Sequence, residues 1–263
     1  MPGSESHRNI FTNADQNITF PNMAAHKESI FFRPAKPLDY EYIGLNAADT
    51  YDNTPLTEWL SPHRNEYWTH YVRGFRYRAL DRILQPRNLT LVACKGSLGG
   101  KIIGHIQAIR LGDDAGAKNQ IRSRWSLKLV VFAWMFAVWW KVVQMIMGDR
   151  SGTKESLAIF LKSAEEDKKL YWENKERTNR WHVVSCVVLK EFQGRGVGKK
   201  LLESITAKAE EEGVVVGLEA SEEGEHLYIK CGFKLLGRFK DDFGGIQGVG
   251  GVMMWSPSGK KMI

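Results

Sequence analysis

The densest chemical signal in the chain is the run Gln193-Gly194-Arg195-Gly196-Val197-Gly198. Its three alternating glycines carry no Cβ, so main-chain N–H groups there can approach a ligand closely. The residues after it have helical periodicity. Val197, Leu201, Leu202, Ile205 and Ala209 share one face, and Lys199, Lys200, Glu203 and Lys208 take the others. A helix opening on this bend leaves its first N–H groups without intrahelical acceptors and carries a partial positive charge. The natural occupant of such a bend is a phosphate or diphosphate, with Arg195, Lys199 and Lys200 adding side-chain charge. Two familiar phosphate loops do not fit. A dinucleotide fingerprint spaces its glycines as Gly-x-Gly-x-x-Gly, whereas a nucleoside-triphosphate loop needs Ser or Thr after its Lys, and here Lys200 follows Lys199.

The elements that must hold the bend are legible on either side. Trp181–Leu189, with its apolar run from Val183, reads as a buried strand. Gly213 stands where the helix must stop, and Val214–Ala220 reads as the next strand. The unit is strand, glycine bend, helix, strand.

Gln-x-x-Gly-x-Gly after a hydrophobic strand and at the head of a helix resembles the acyl-CoA signature of the GNAT superfamily of N-acetyltransferases. Downstream, Leu227-Tyr228-Ile229-Lys230-Cys231-Gly232-Phe233 is similar to that family's Leu-Tyr-x-x-x-Gly-Phe element. The resemblance is specific from Trp181 to about Phe239 and topological only over Ser29–Arg110. It implies an α/β acyl-CoA N-acyltransferase fold: a mixed, mostly antiparallel sheet flanked by helices, here with a helical insertion between strands three and four. It also implies an acyltransferase that takes acetyl-CoA as donor and passes the acetyl group to a primary amine, with no metal.

The resemblance assigns roles residue by residue. The N–H groups of Arg195, Gly196, Val197, Gly198 and Lys199, with Gly194 in the same bend, would hold the diphosphate of CoA, and the Gln193 side chain would help fix it. Strands four and five would part so that Cys186, Val187 and Val188 pair with the pantetheine arm. The Val188 N–H would face the thioester carbonyl and stabilise the oxyanion that develops there. Tyr228 would be the general acid for the departing thiolate. An ammonium acceptor needs a base. Glu219 ranks first, because a carboxylate at the parting also orients a cationic acceptor, with His182 and His226 as alternatives. Cys186 or Cys231 could carry an acyl group covalently, but neither has a His–Asp partner at readable spacing, so direct transfer in a ternary complex is preferred. Leu218-Glu219-Ala220-Ser221, followed by Gly224 and Leu227-Tyr228, looks like a subgroup common among fungal acetyltransferases. Many relatives carry Asn where this chain has Ser221-Glu222-Glu223.

Composition agrees with one sizeable core. Of 263 residues, 43% are hydrophobic and 25% charged, and the net charge of +7 suits an anionic co-substrate or an anionic surface. There is no basic stripe interleaved with base-stacking aromatics and no zinc-finger spacing, which disfavours nucleic acid. Three scattered cysteines (Cys94, Cys186, Cys231) and a polar N-terminus suggest a reducing, cytoplasmic setting, with nuclear or membrane-surface association as further options.

In chain order, residues 1–27 read as a disordered or loosely docked tail, and residues 28–263 as the N-acetyltransferase domain. Ser29–Arg33 is a strand, Asp39 an N-cap, and Pro62 to Leu84 one long helix. Leu89–Cys94 and Lys101–Arg110 form a hairpin, and Phe233–Lys240 and Gly250–Trp255 are the last strands. The glycine-rich loop between those last strands, residues 241–251, is expected to border the acceptor and gate access to it.

The insertion spans residues 111–180. It contains a Trp-rich apolar helix at about 126–148 and then a charged helix with Leu157, Phe160, Leu161, Ala164 and Leu170 inward. Three readings of the apolar helix compete: a helix that walls the acceptor pocket, peripheral membrane contact through Trp134, Trp139 and Trp140, and a true span. Its tryptophans favour an apolar small-molecule acceptor. The rivals are a protein or peptide N-acetyltransferase and a non-catalytic CoA-binding or membrane-associated regulator.

Overall fold

A computed structural model describes residues 29–239, 243, 245, 246 and 250–258. The expected N-terminal tail and most of the loop at 240–250 lie outside the described residues. Seven strands form one sheet in the order β1-β2-β3-β4-β5-β7-β6: β1 (Ile30–Pro34), β2 (Asn88–Lys95), β3 (Ile102–Leu111), β4 (Arg180–Val188), β5 (Val215–Ala220), β6 (Lys234–Arg238) and β7 (Gly251–Trp255). Only β4 and β5 run parallel, and every other neighbouring pair is antiparallel. Strand ends differ from the sequence expectation by a residue or two, which is ordinary fraying.

Both faces of the sheet are covered. On one face lies α7 (Val197–Glu212), whose Leu201, Leu202, Ile205 and Ala209 are wholly buried among Ile103, Ile106, Trp181, Val216 and Leu218. Each large side chain so buried contributes about 1.5–3 kcal/mol, which outweighs any exposed ion pair on the helix such as Lys199–Glu203. The other face carries α1 (Tyr40–Tyr51) and α3 (Trp68–Leu84), packed through Ile43, Ala79 and Ile83 onto Val92, Cys94 and Ile102.

Two expectations here are adjusted. Asp39 stands at the N-cap of α1 as expected, but its side chain makes no cap hydrogen bond. Its carboxylate accepts the Lys36 N–H at 2.6 Å and the Arg33 guanidinium at 2.6 Å, and so closes the 3₁₀ turn before the helix. The long helix expected from Pro62 begins only at Trp68, as α3, after a set of turns, and a short α2 (Pro55–Leu60) precedes it. Pro55 and the Thr54 cap start α2 early. The buried Arg64, bonded to Asp52 at 2.7 Å, then holds the intervening chain in turns.

Between β3 and β4 come α4 (Ala115–Arg124), α5 (Leu127–Met147) and α6 (Lys154–Tyr171). The departure point is locked by the fully buried Arg110, which binds Glu212 at 2.7 Å and Asp114 at 2.6 Å, while the Trp181 indole donates to Glu212 at 3.1 Å. The return is locked by glycines. The Trp172 ring lies against Gly217 of β5 so closely that a Cβ there would stand 2.4 Å from it. The Tyr171 hydroxyl donates to the Arg238 carbonyl at 2.8 Å, over Gly237. These contacts set α6 against the sheet with a different inner stripe from the one expected: Ser163 and Asp167 are buried, whereas Leu157, Leu161 and Leu170 are exposed. The helix is oriented by its aromatic end, and its own leucines do not decide which side faces in.

Gly217→Ala therefore forces the Trp172 ring off its seat. The expected loss is about 1–3 kcal/mol in a urea melt, with a shifted tryptophan emission. An unchanged midpoint would contradict this docking.

Candidate active site

The sheet opens at its centre. The pairing of β4 with β5 runs from Arg180/Val215 to Val183/Leu218 and stops there. At that point β4 carries a bulge: Gln107 faces Ser185 and Ala108 faces Val183, which leaves Val184 as the extra residue. A bulge bends its strand and re-aims the residues beyond it, so the rest of β4 leaves β5 while staying paired to β3. The Leu189 N–H bonds the Ile103 carbonyl at 2.9 Å. By the alternation of an antiparallel ladder, Val187 exchanges its backbone bonds with His105, while the polar groups of Cys186 and Val188 point into the opening. Of the three residues expected to meet a pantetheine arm, two offer main-chain groups and Val187 does not.

The glycine bend sits at the end of this opening. Gly194 (φ 72°) and Gly196 (φ 80°) take left-handed conformations, and a Cβ at either would meet nothing within 4 Å, so the bend is open to a ligand. Gly198 serves differently. A Cβ there would come 3.0 Å from Leu227 and 3.6 Å from Val188, so its bareness lets α7, the end of β4 and α8 (Glu222–Lys230) close together. The first backbone bond in α7 is from the Lys200 N–H to the Gly196 carbonyl at 3.1 Å. The N–H groups of Val197, Gly198 and Lys199 thus head the helix without helical acceptors.

Side chains around the bend are committed elsewhere. Gln193 turns back and donates to the Val188 carbonyl at 3.0 Å, bracing the strand end where a contact to the diphosphate was expected. Arg195 lies over the Phe192 ring at 5.0 Å, and Lys199 pairs with Glu203 at 3.6 Å. The residues present fit the diphosphate of CoA: a bend left open by Gly194 and Gly196 at the positive end of a 16-residue helix.

Beyond the opening lies a cleft of about 770 Å³. Its floor is β4 and β5, and its walls are α2, the end of α1 and α6. Glu219 lies on the floor, its carboxylate accepting from His182 Nε2 at 2.7 Å and from the Trp172 indole at 3.3 Å. The Arg180 Nε donates to His182 Nδ1 at 3.3 Å, which leaves Nε2 to carry the proton towards Glu219. Burial raises the pKa of the Glu219 carboxyl, but the electrostatic pull of His182, the His182 and Trp172 hydrogen bonds and Arg180 together outweigh it and hold the pKa below its ordinary value. His226 is exposed on α8 and does not line the cleft, so it is removed as a candidate base.

Tyr228 is buried, with its ring edge-on to Phe233 at 5.8 Å, and Gly224 leaves the room it needs. Burial, then the neighbouring Cys186, Tyr51 and Cys231, raise its pKa well above the usual value, so its proton stays on. Burial likewise pushes the Cys186 thiol up to about 12, which makes it a poor nucleophile.

Several cleft residues were missed. Tyr51 ends α1 with its hydroxyl beside Ser185 and Cys186, and nothing in its surroundings in the sequence marks it. Asp167 and Trp172 come from the insertion. The signal for Trp172 was Gly217 itself, since a glycine inside an apolar strand marks the close approach of another group. The expectation that the Trp-rich helix walls the pocket is overturned: α5 supplies none of the lining, and α6 is the insertion's wall.

Residues 163–235 match the sequence profile described as an acetyltransferase (GNAT) domain, a span that runs from α6 to β6 and contains the bend, the opening and Tyr228. No curated protein matches the chain. Among solved structures, the chain is similar to a Corynebacterium glutamicum protein described as histone acetyltransferase HPA2 and related acetyltransferase, at 18% identity with a TM-score of 0.55, over 89% of this chain and 99% of that one. It also aligns with the PaiA N-acetyltransferase of Thermoplasma acidophilum in complex with coenzyme A, at 14% identity and TM-score 0.45, over 87% of this chain and 99% of the other. A third likeness is Arabidopsis thaliana NAA60 with a bisubstrate analogue, at 14% identity and TM-score 0.46, over 88% of this chain and 100% of the other. The Corynebacterium likeness establishes the shared fold, and residues 163–235 carry the profile of an acetyltransferase (GNAT) domain, an acyltransferase that takes acetyl-CoA as donor.

Proposed function

We propose that the acceptor is a primary amine on a small, largely apolar molecule, acetylated directly while both substrates are bound. The observation that carries this reading is the character of the cleft beyond the opening. Leu56, Leu60, Phe75, Phe160, Phe239 and Phe243 give it an apolar wall, and Glu219 and Asp167 set carboxylates on the inner surface. Such a space suits a molecule with an apolar body and one cationic end. A peptide acceptor favours a shallower groove, and here α6 closes one side.

Within this reading the bend and the α7 N-terminus bind and orient the CoA diphosphate, and the Cys186 and Val188 main-chain groups align its arm. The Val188 N–H supports the negative charge that develops on the reacting carbonyl oxygen. Tyr228, kept protonated by burial, donates to the departing sulfur. Glu219 holds the ammonium by charge and receives its proton directly or through water, with His182 sharing the load. Because Cys186 is held as a thiol, no acyl-cysteine step is invoked.

The decisive measurement is CoA thiol release from acetyl-CoA against small amines, peptides and alcohols. Apolar amines are expected to be turned over best, and a preference for peptides would overturn the reading. Tyr228→Phe should lower kcat about a hundredfold while acetyl-CoA affinity, measured by calorimetry, stays unchanged.

Glu219→Gln should lower kcat/KM by a similar factor and move the activity towards alkaline pH, where the amine arrives already neutral. The same variant has a stability signature. The folded-state pKa of Glu219 lies below its ordinary 4.5, so the stability it contributes is complete above that value and drains as pH falls through the depressed one. The variant should lose less stability on acidification than the parent, and parallel acid limbs would rule the pairing out.

A further inference from the structure

We propose that α5 docks this enzyme on the surface of an anionic lipid bilayer, lying in the plane of the membrane with its outward face among the acyl chains. The helix has 21 residues, of which only Lys128, Lys141 and Gln144 are polar. A narrow seam of Leu129, Ala133, Phe136, Trp140 and Val143 turns towards the domain. Its anchor is Trp140, 9% exposed, stacked on Tyr77 of α3 at 3.9 Å. The opposite face is apolar and uncovered among the described residues: Val131, Trp134, Met135, Val138, Val142 and Met145, with Trp134 67% and Met145 86% exposed. Lys141 and Lys128 flank that face and can reach outward past it.

Charge identifies the occupant. From residue 115 to 147 there is no acidic residue, while Lys118, Arg122, Arg124, Lys128 and Lys141 are all cationic. Arg124 turns in to the Ile83 carbonyl at 3.0 Å, and the other four are exposed. An apolar face bordered by cations, with exposed Trp125, Trp134 and Trp139, matches an anionic headgroup layer over hydrocarbon. A second copy meeting this face would bring like charges together.

Length alone would permit a span, since the helix is about 30 Å long. The tethers forbid it. At its start, Gln120 donates to the Pro86 and Asn88 carbonyls at 3.3 and 3.4 Å and Arg124 holds the end of α3. At its finish, Arg73 holds Met147 and the Gly148 carbonyl, the Arg150 N–H donates to His70 at 3.3 Å, and the His63 N–H donates to the Ser151 carbonyl at 3.0 Å. Both ends therefore rest on one flank of one domain, with α5 antiparallel to α3. A crossing would carry one end through the bilayer and break its set.

This inference is independent of the acceptor's identity. The test is flotation of the full chain with vesicles of phosphatidylcholine alone and of phosphatidylcholine mixed with phosphatidylserine. Binding is expected on the mixed vesicles, weakened by salt. Val131→Glu with Val138→Glu should lower it by roughly tenfold or more, with CoA release from acetyl-CoA in the presence of a soluble amine at the parental rate. Lys118→Ala with Arg122→Ala and Lys128→Ala, which leaves the apolar face intact, should lower binding to the mixed vesicles specifically. Protease added to the bound enzyme should leave no membrane-protected fragment. The proposal is overturned by absence of flotation with mixed vesicles, by flotation that survives the glutamates, or by a protected fragment. It also falls if sedimentation shows self-association that the glutamates abolish without any vesicle binding.

Discussion

The parting of β4 from β5 after Val183 and Leu218 is the constraint on which the molecule depends. Parallel strands in mid-sheet normally continue together, because unpaired buried N–H and C=O groups are costly. Here the bulge at Val184 ends the pairing and leaves the Cys186 and Val188 groups unpaired with β5, at the middle of the sheet. Gln193 binds one of them, the Val188 carbonyl. The result is a strand edge inside a domain, and an extended acyl carrier can pair with it. The glycine bend, Tyr228 and the cleft all border this one interruption.

The insertion shapes the space that the opening faces. Its last helix is fixed by the contact of Trp172 with Gly217, and the same indole donates to Glu219. One ring thus positions both a wall of the cleft and the carboxylate on its floor. The chain Arg180, His182, Glu219, Trp172 is a linked set, with Arg180 also lying 4.7 Å over the Trp172 ring. A carboxylate held this way stays ionised, which is why the proposed acceptor is one that arrives as an ammonium.

The middle helix of the insertion turns away from the chemistry. It uses a seam one residue wide to lie along α3 and gives the rest of its circumference to the outside. A helix apolar on nearly every side is at rest in a core or in lipid, and this one has only its seam in the core. The loop after it leads to Gly152, which packs on Leu60 of α2, a cleft residue. The outward helix and the acceptor cleft are therefore joined through a few residues.

By itself the sequence determined the strand, bend, helix and strand from Trp181 to Ala220, each set by local rules: alternation, helical period, and glycine where a Cβ would obstruct. The fold class and the choice of Tyr228 came through the family resemblance that those residues carry. The sequence also placed Glu219 on the strand after the helix. The tertiary structure decided everything that depends on groups far apart in the chain. Tyr51 reaches Ser185 only because α1 packs across the sheet, and α6 rather than α5 became the cleft wall because Trp172 found a bare glycine on β5. The sequence showed α5 as apolar, but whether it would be covered depended on the area α3 had to offer. That area is one seam wide, and no local pattern records it.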